Sequence, residues 1–116
     1  MAGHRIYGMR FGDLYPLYVT KAGRKGRTKA EVDAVFCWLT GYGPDALEQL
    51  VAGDADVAGV FAEAPAMNPR REKITGRICG VRIEEVDEPL MQDIRRLDKL
   101  VDELAKGRPV AKILDQ

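Results

Sequence analysis

The sequence predicts an all-α fold, a compact orthogonal assembly of five to seven helices in a single domain spanning 1–116, and three observations carry that reading. Thr28-Lys29-Ala30-Glu31 has the spacing of a capping box and opens a run that becomes apolar on every side. Leu90, Ile94, Leu97, Val101 and Leu104 recur at alternating intervals of four and three residues, one face of a long helix. Glycine and proline fall where such helices would stop and start, at Gly26, Gly41, Pro44, Gly53, Pro69, Pro89 and Gly107. A minority reading adds a short hairpin at 74–86 and makes the fold α+β.

In chain order, His4–Met9 reads as an extended start. Asp13 is the expected N-cap of a helix running to about Arg24, with Pro16 in its first turn and Leu14, Leu17, Tyr18 and Ala22 as one apolar stripe. Gly26 offers a left-handed stop. The capping box then opens a helix over 29–40, made central by Ala34, Val35, Phe36, Cys37, Trp38 and Leu39. A short helix over 45–52 turns Leu47, Leu50 and Val51 inward, and Asp54 is the expected cap of another carrying Val57, Val60 and Phe61. Asn68-Pro69 reads as N-cap and first residue of a helix from Pro69 to Cys79, closed by Gly80, with Ile74 and Ile78 on one face. That helix is favoured over the hairpin. Asp87-Glu88-Pro89 opens the longest helix, 89–106, whose stripe Leu100 widens. Two heptads are short for a coiled coil, so core packing is favoured over a dimer seam. Val110, Ile113 and Leu114 add a last turn that folds back.

Composition bounds the function classes. The 46% apolar and 31% charged fractions are those of an ordinary globular chain. No apolar run approaches the ~18–20 residues that would span a bilayer, and the N-terminus lacks the apolar core of a secretory signal. Cys37 and Cys79 stand 42 positions apart in apolar sequence and read as small buried hydrophobes. These features point to the cytoplasm, with no membrane partner. Equal numbers of acids and bases, 18 each, hide a polarity along the chain. Residues 1–30 carry seven Lys/Arg against Asp13 alone, and 31–67 carry seven Asp/Glu and no Lys or Arg. Such thirds can pair inside the fold, pair between subunits, or face two partners.

Three sets of strings bring a resemblance. The first is Tyr15-Pro16-Leu17-Tyr18-Val19, Lys25-Gly26-Arg27-Thr28-Lys29-Ala30-Glu31-Val32 and Cys37-Trp38-Leu39-Thr40-Gly41-Tyr42. The second is Ala64-Pro65, Asn68-Pro69, Ile78-Cys79-Gly80-Val81-Arg82 and Glu84-Glu85. The third runs from Asp87-Glu88-Pro89-Leu90-Met91-Gln92-Asp93-Ile94-Arg95 through Leu97-Asp98-Lys99-Leu100 to Asp102-Glu103-Leu104-Ala105-Lys106-Gly107. Over essentially the whole chain these resemble an uncharacterised bacterial family, the one called domain of unknown function 2200. The resemblance implies a small bacterial protein of mainly helical fold with no assigned activity, and brings no catalytic residues to carry over. Arg96 departs from it where an aromatic is expected, which puts ring stacking at that position in doubt.

Chemistry is sparse. His4, Cys37 and Cys79 each stand alone, so no metal site is expected, and no cofactor. There is no serine. The one nucleophile worth naming is Cys79 before Gly80, with Arg77 and Arg82 near in sequence, and a buried structural role is favoured for it. Glu84, Glu85, Asp87 and Glu88 are expected to complement the positive N-terminus of the following helix. Lys21, Arg24, Lys25, Arg27 and Lys29 place five cations in nine residues and could neutralise phosphates. The helix after TGYG outlines a helix-turn-helix but carries Asp45 and Glu48 where base-reading donors would be needed. The leading expectation is a small non-enzymatic binding or protein-interaction module, its partner another protein or a second copy. The alternative is non-specific DNA or RNA binding through 21–29.

Overall fold

The computed structural model describes residues 4–78 and 80–114. Six α-helices form among them: α1 Phe11–Gly23, α2 Lys29–Thr40, α3 Pro44–Ala52, α4 Val57–Ala62, α5 Pro89–Ala105 and α6 Val110–Leu114. Short 3-10 turns lie at Arg5–Gly8, Pro69–Lys73 and Ile83–Glu85, and strands β1 Arg77–Ile78 and β2 Val81–Arg82 pair antiparallel. The fold is mostly helical with a minor hairpin.

The capping box forms as expected. The Thr28 hydroxyl accepts from the Glu31 N–H, and the Glu31 carboxylate accepts from the Thr28 N–H at 2.9 Å. At the other end of α2, Gly41 takes φ +83° and donates its N–H to the Cys37 carbonyl. Val32, Val35, Phe36 and Leu39 are fully buried. On α5, Met91, Ile94, Leu97, Leu100, Val101 and Leu104 are buried as well. This helix lies against α1, α2, α4, α6, β1 and the Ile83–Glu85 turn, so it braces the whole core. Of the 90–104 stripe, Ile94, Leu97, Val101 and Leu104 are spent on the chain's own interior, and Leu90 is partly buried.

Four expectations are corrected. His4–Met9 is not extended, because Arg5–Gly8 closes a 3-10 turn with Tyr7 and Met9 donating to His4 and Ile6. Helix α1 starts two residues before Asp13, because Phe11 donates to Ala55 and Val57 to Met9, a bridge that fixes the chain at Arg10 and starts the helix there. Pro16 therefore sits one turn further in, removing the N–H that would meet the Gly12 carbonyl. The buried face becomes Phe11, Leu14, Tyr15, Tyr18 and Ala22, and Leu17 is 58% exposed. The cap of α4 is Asp56 rather than Asp54, its carboxylate accepting from the Gly59 N–H at 2.7 Å. The helix expected over Pro69–Cys79 is a single 3-10 turn. Asn68 does cap it, accepting from Arg70, but Ile74 is extended and Gly76 takes φ +101°, which no helix continues through. The hairpin within 74–86 forms instead. Ile74 and Ile78 still reach the core, one from the turn and one from β1.

Hydrogen bonds from Arg27, followed by the Thr28 N–H, hold the Glu31 carboxyl down to about 2 from its usual 4.5. A carboxyl depressed in the folded state stabilises the fold above its ordinary titration range, and that contribution is lost as pH falls from about 4.5 to about 2. Glu31→Gln is therefore expected to flatten the acid limb of a Tm-versus-pH curve recorded by circular dichroism. An unchanged limb would show that Glu31 does not govern it.

Candidate ligand-binding site

The basic 21–29 stretch is largely neutralised within the molecule. Lys21 meets Asp102 at 3.3 Å, Arg27 meets Glu31 at 2.6 Å, and Lys29 bridges Asp33 at 2.8 Å and Glu48 at 2.7 Å. Arg27 also donates to the carbonyls of Leu104 and Arg108, so its guanidinium closes the C-terminal end of α5. Arg24 and Lys25 are exposed and, among the described residues, have no side-chain partner. The basic and acidic thirds of the chain thus meet inside the fold at Arg27–Glu31, Lys29–Asp33 and Lys29–Glu48.

The other sequence candidates separate. His4 lies 2.7 Å from Glu88, and Tyr7 donates to the same carboxylate at 3.2 Å. No group of three metal-ligating side chains occurs among the described residues. Cys37 carries a free thiol that burial pushes up, which disfavours the reactive thiolate. Cys79 lies outside the described residues. Arg77 and Arg82, its expected companions, face each other across the hairpin and are exposed. The acidic run does more than complement a helix end. Glu84 accepts from the Gly76 N–H at 3.0 Å and pins the turn before β1, while Glu88 holds the N-terminal turn through His4 and Tyr7. Arg96, where a ring was expected, is 8% exposed and shares the Asp93 carboxylate with Arg71, at 2.8 and 3.0 Å. This pair of arginines on one carboxylate ties the Pro69–Lys73 turn to α5.

One cleft gathers polar groups that are distant in sequence. It has a volume of about 250 Å³ and lies where the Pro69–Lys73 turn, α5 and α6 converge. Lys73, Thr75, Lys99 and Arg108 line it with one carboxylate, Glu103, above Ile74, Leu100 and Ile113. The three aliphatic side chains are 4%, 1% and 0% exposed, so they form a closed floor and leave the polar heads as the accessible lining. Glu103 stands 3.4 Å from the Lys99 Nζ and 2.9 Å from Arg108 Nη1. Burial raises its carboxyl, but the bonds and charges of Arg108 and Lys99 outweigh that and hold it below the ordinary range. Lys99 also donates to the Arg77 carbonyl at 3.4 Å, tying the hairpin to the wall of the cleft. Among the described residues Lys73 has no ion pair.

Sequence reasoning did not single out this set. Lys99 and Glu103 are an i,i+4 pair, legible as a helix face, but Lys73 and Arg108 join them only because the Pro69–Lys73 turn and the chain after Gly107 fold onto the same side of α5.

The model of a family described as an uncharacterized protein conserved in bacteria, DUF2200, matches residues 5–115. A crystal structure of an uncharacterized protein, SP1917, is similar to this chain at 45% sequence identity and a TM-score of 0.93, covering 99% of this chain and 95% of that one. No curated protein matches the chain.

Proposed function

The chain belongs to the uncharacterised bacterial family DUF2200, and we propose that it is a non-enzymatic binding module that takes a small anionic molecule in the cleft between the Pro69–Lys73 turn, α5 and α6. One observation carries the reading: Lys73, Lys99 and Arg108 arrive from three separate segments at one concave site that holds a single carboxylate. Charge of one sign collected in a recess attracts the opposite sign more strongly than the same charges spread over a convex surface. Preformed clefts for drug-sized ligands run to roughly 300–1,000 Å³. This one, at about 250 Å³, suits something smaller. Two cysteines 42 positions apart, each set in apolar sequence, support a reducing compartment and hence the cytoplasm. One contiguous core supports a single domain.

Titrating the ¹⁵N-labelled protein with inorganic phosphate at low salt tests this. Amide shifts are expected at residues 73–75, 99–103 and 108–113, with about a tenfold loss of affinity in Lys73→Gln/Arg108→Gln. Absence of saturable shifts there would reject the reading. The alternative, nucleic-acid contact through 21–29, is supported by Arg24 and Lys25 alone, the two cations of that stretch without partners. It predicts shifts at 23–26 on adding single-stranded DNA or RNA, abolished in Arg24→Glu/Lys25→Glu.

A further inference from the structure

The charge balance of the cleft identifies its ligand more closely. Three cations line it, and Glu103 answers one unit of that charge with its two oxygens, Oε1 toward Lys99 and Oε2 toward Arg108. Lys99 and Glu103 are only 16% and 15% exposed, so their pair is sheltered, whereas Arg108 is 53% exposed and turns donors to solvent. Lys73 is exposed at the rim, and Thr75 beside it adds a hydroxyl. The three floor residues present almost no surface to a ligand, so an apolar tail would gain little there.

We infer that the ligand of this cleft is a compact dianion, its two charges answering the two units of positive charge left when one carboxylate, Glu103, is set against three cations. The inference rests on the proposed anion-binding reading and deepens it. A phosphate monoester and a short dicarboxylate share this chemistry. In either, one anionic end meets Arg108, whose fork of donors suits carboxylate and phosphate oxygens. The other end meets Lys73 and the Thr75 hydroxyl. Glu103 sets the preference, because its charge subtracts one unit from what the ligand must supply.

Calorimetric titration of the intact protein with malonate, succinate and inorganic phosphate, against acetate, butyrate and hexanoate, tests it at matched ionic strength. Dianions are expected to bind roughly tenfold tighter than monoanions, and acetate, butyrate and hexanoate to bind alike. Phosphate outranking both dicarboxylates would assign the phosphoryl source, and the reverse the dicarboxylate; either result upholds the dianion. Glu103→Gln is expected to tighten every anion by several fold. Its folding is verified by circular dichroism, and the comparison of ligands on the native protein stands without it. Monoanions binding as well as dianions, or tightening with chain length, would overturn the inference and leave anion binding intact. No anion binding at all would overturn both.

Discussion

Phe36→Ala is expected to lower stability by about 4 kcal/mol, the middle of the range for aromatic truncation in a core. The ring is fully buried and sits at the centre of an aromatic group. Phe11 and Tyr15 lie 5.3 and 5.6 Å away between centroids, and Tyr42 stacks on it at 6.0 Å with the planes 5° apart. A cavity costs most where its walls cannot close in, and two of these walls are tethered. Tyr15 donates its hydroxyl to Asp33 at 2.6 Å and Tyr42 donates to the Val60 carbonyl at 2.6 Å. Denaturant unfolding followed by circular dichroism measures the effect, and at this chain length it corresponds to a fall in Tm of more than about 10 °C. A loss under about 1 kcal/mol would mean that the tethered rings collapse into the space after all.

Gly12→Ala follows at about 3 kcal/mol, by the opposite mechanism. A Cβ on Gly12 would stand 2.2 Å from the Val51 carbonyl oxygen and 2.8 Å from Arg10 Cζ. The first of these is backbone, so α1 and α3 must separate, and overpacking of this kind costs roughly 1–3 kcal/mol or more. Separation also pulls Arg10 from the end of α3, where its guanidinium donates to the Gly53 and Val51 carbonyls at 2.8 and 3.2 Å. Gly23→Ala is the matched comparison. It lies in the same helix and a Cβ there meets nothing described within 4 Å, so it is expected to be neutral or slightly stabilising. Equal Tm values for the two variants would show that the α1–α3 approach yields without cost.

The contrast between these two residues shows what was legible in the sequence. Phe36 lies in a run apolar on every side, and periodicity alone marks it as core. Nothing marks Gly12, whose need for a bare Cα comes from a carbonyl 39 positions away. The same division holds elsewhere. Helices α2 and α5 were legible because their caps and stripes are local, the capping box at Thr28 and the spacing of Leu90 to Leu104. The start of α1 was not, because the bridge between Arg10 and Asp56 overrides the local signal at Asp13. The 69–82 segment misled because Ile74 and Ile78 are spaced as on a helix while Gly76 between them takes a positive φ. For the site, the five cations of 21–29 were conspicuous as a cluster, and the acids that pair Lys21, Arg27 and Lys29 stand as far off in sequence as Asp102. Conversely, no window of sequence contains Lys73, Lys99 and Arg108 together.

The position of α5 bears on how this protein is made. Residues 11–62 supply the aromatic cluster and four helices, yet the surface that α1, α2 and α4 bury against α5 has no cover until Leu104 has left the ribosome. During synthesis the nascent chain must therefore carry the faces of α1, α2 and α4 that pack on α5 in a partly open state. Synonymous codons that slow translation within 89–105 would lengthen that exposed interval, and the yield of native protein would register the delay without any change in the amino-acid sequence.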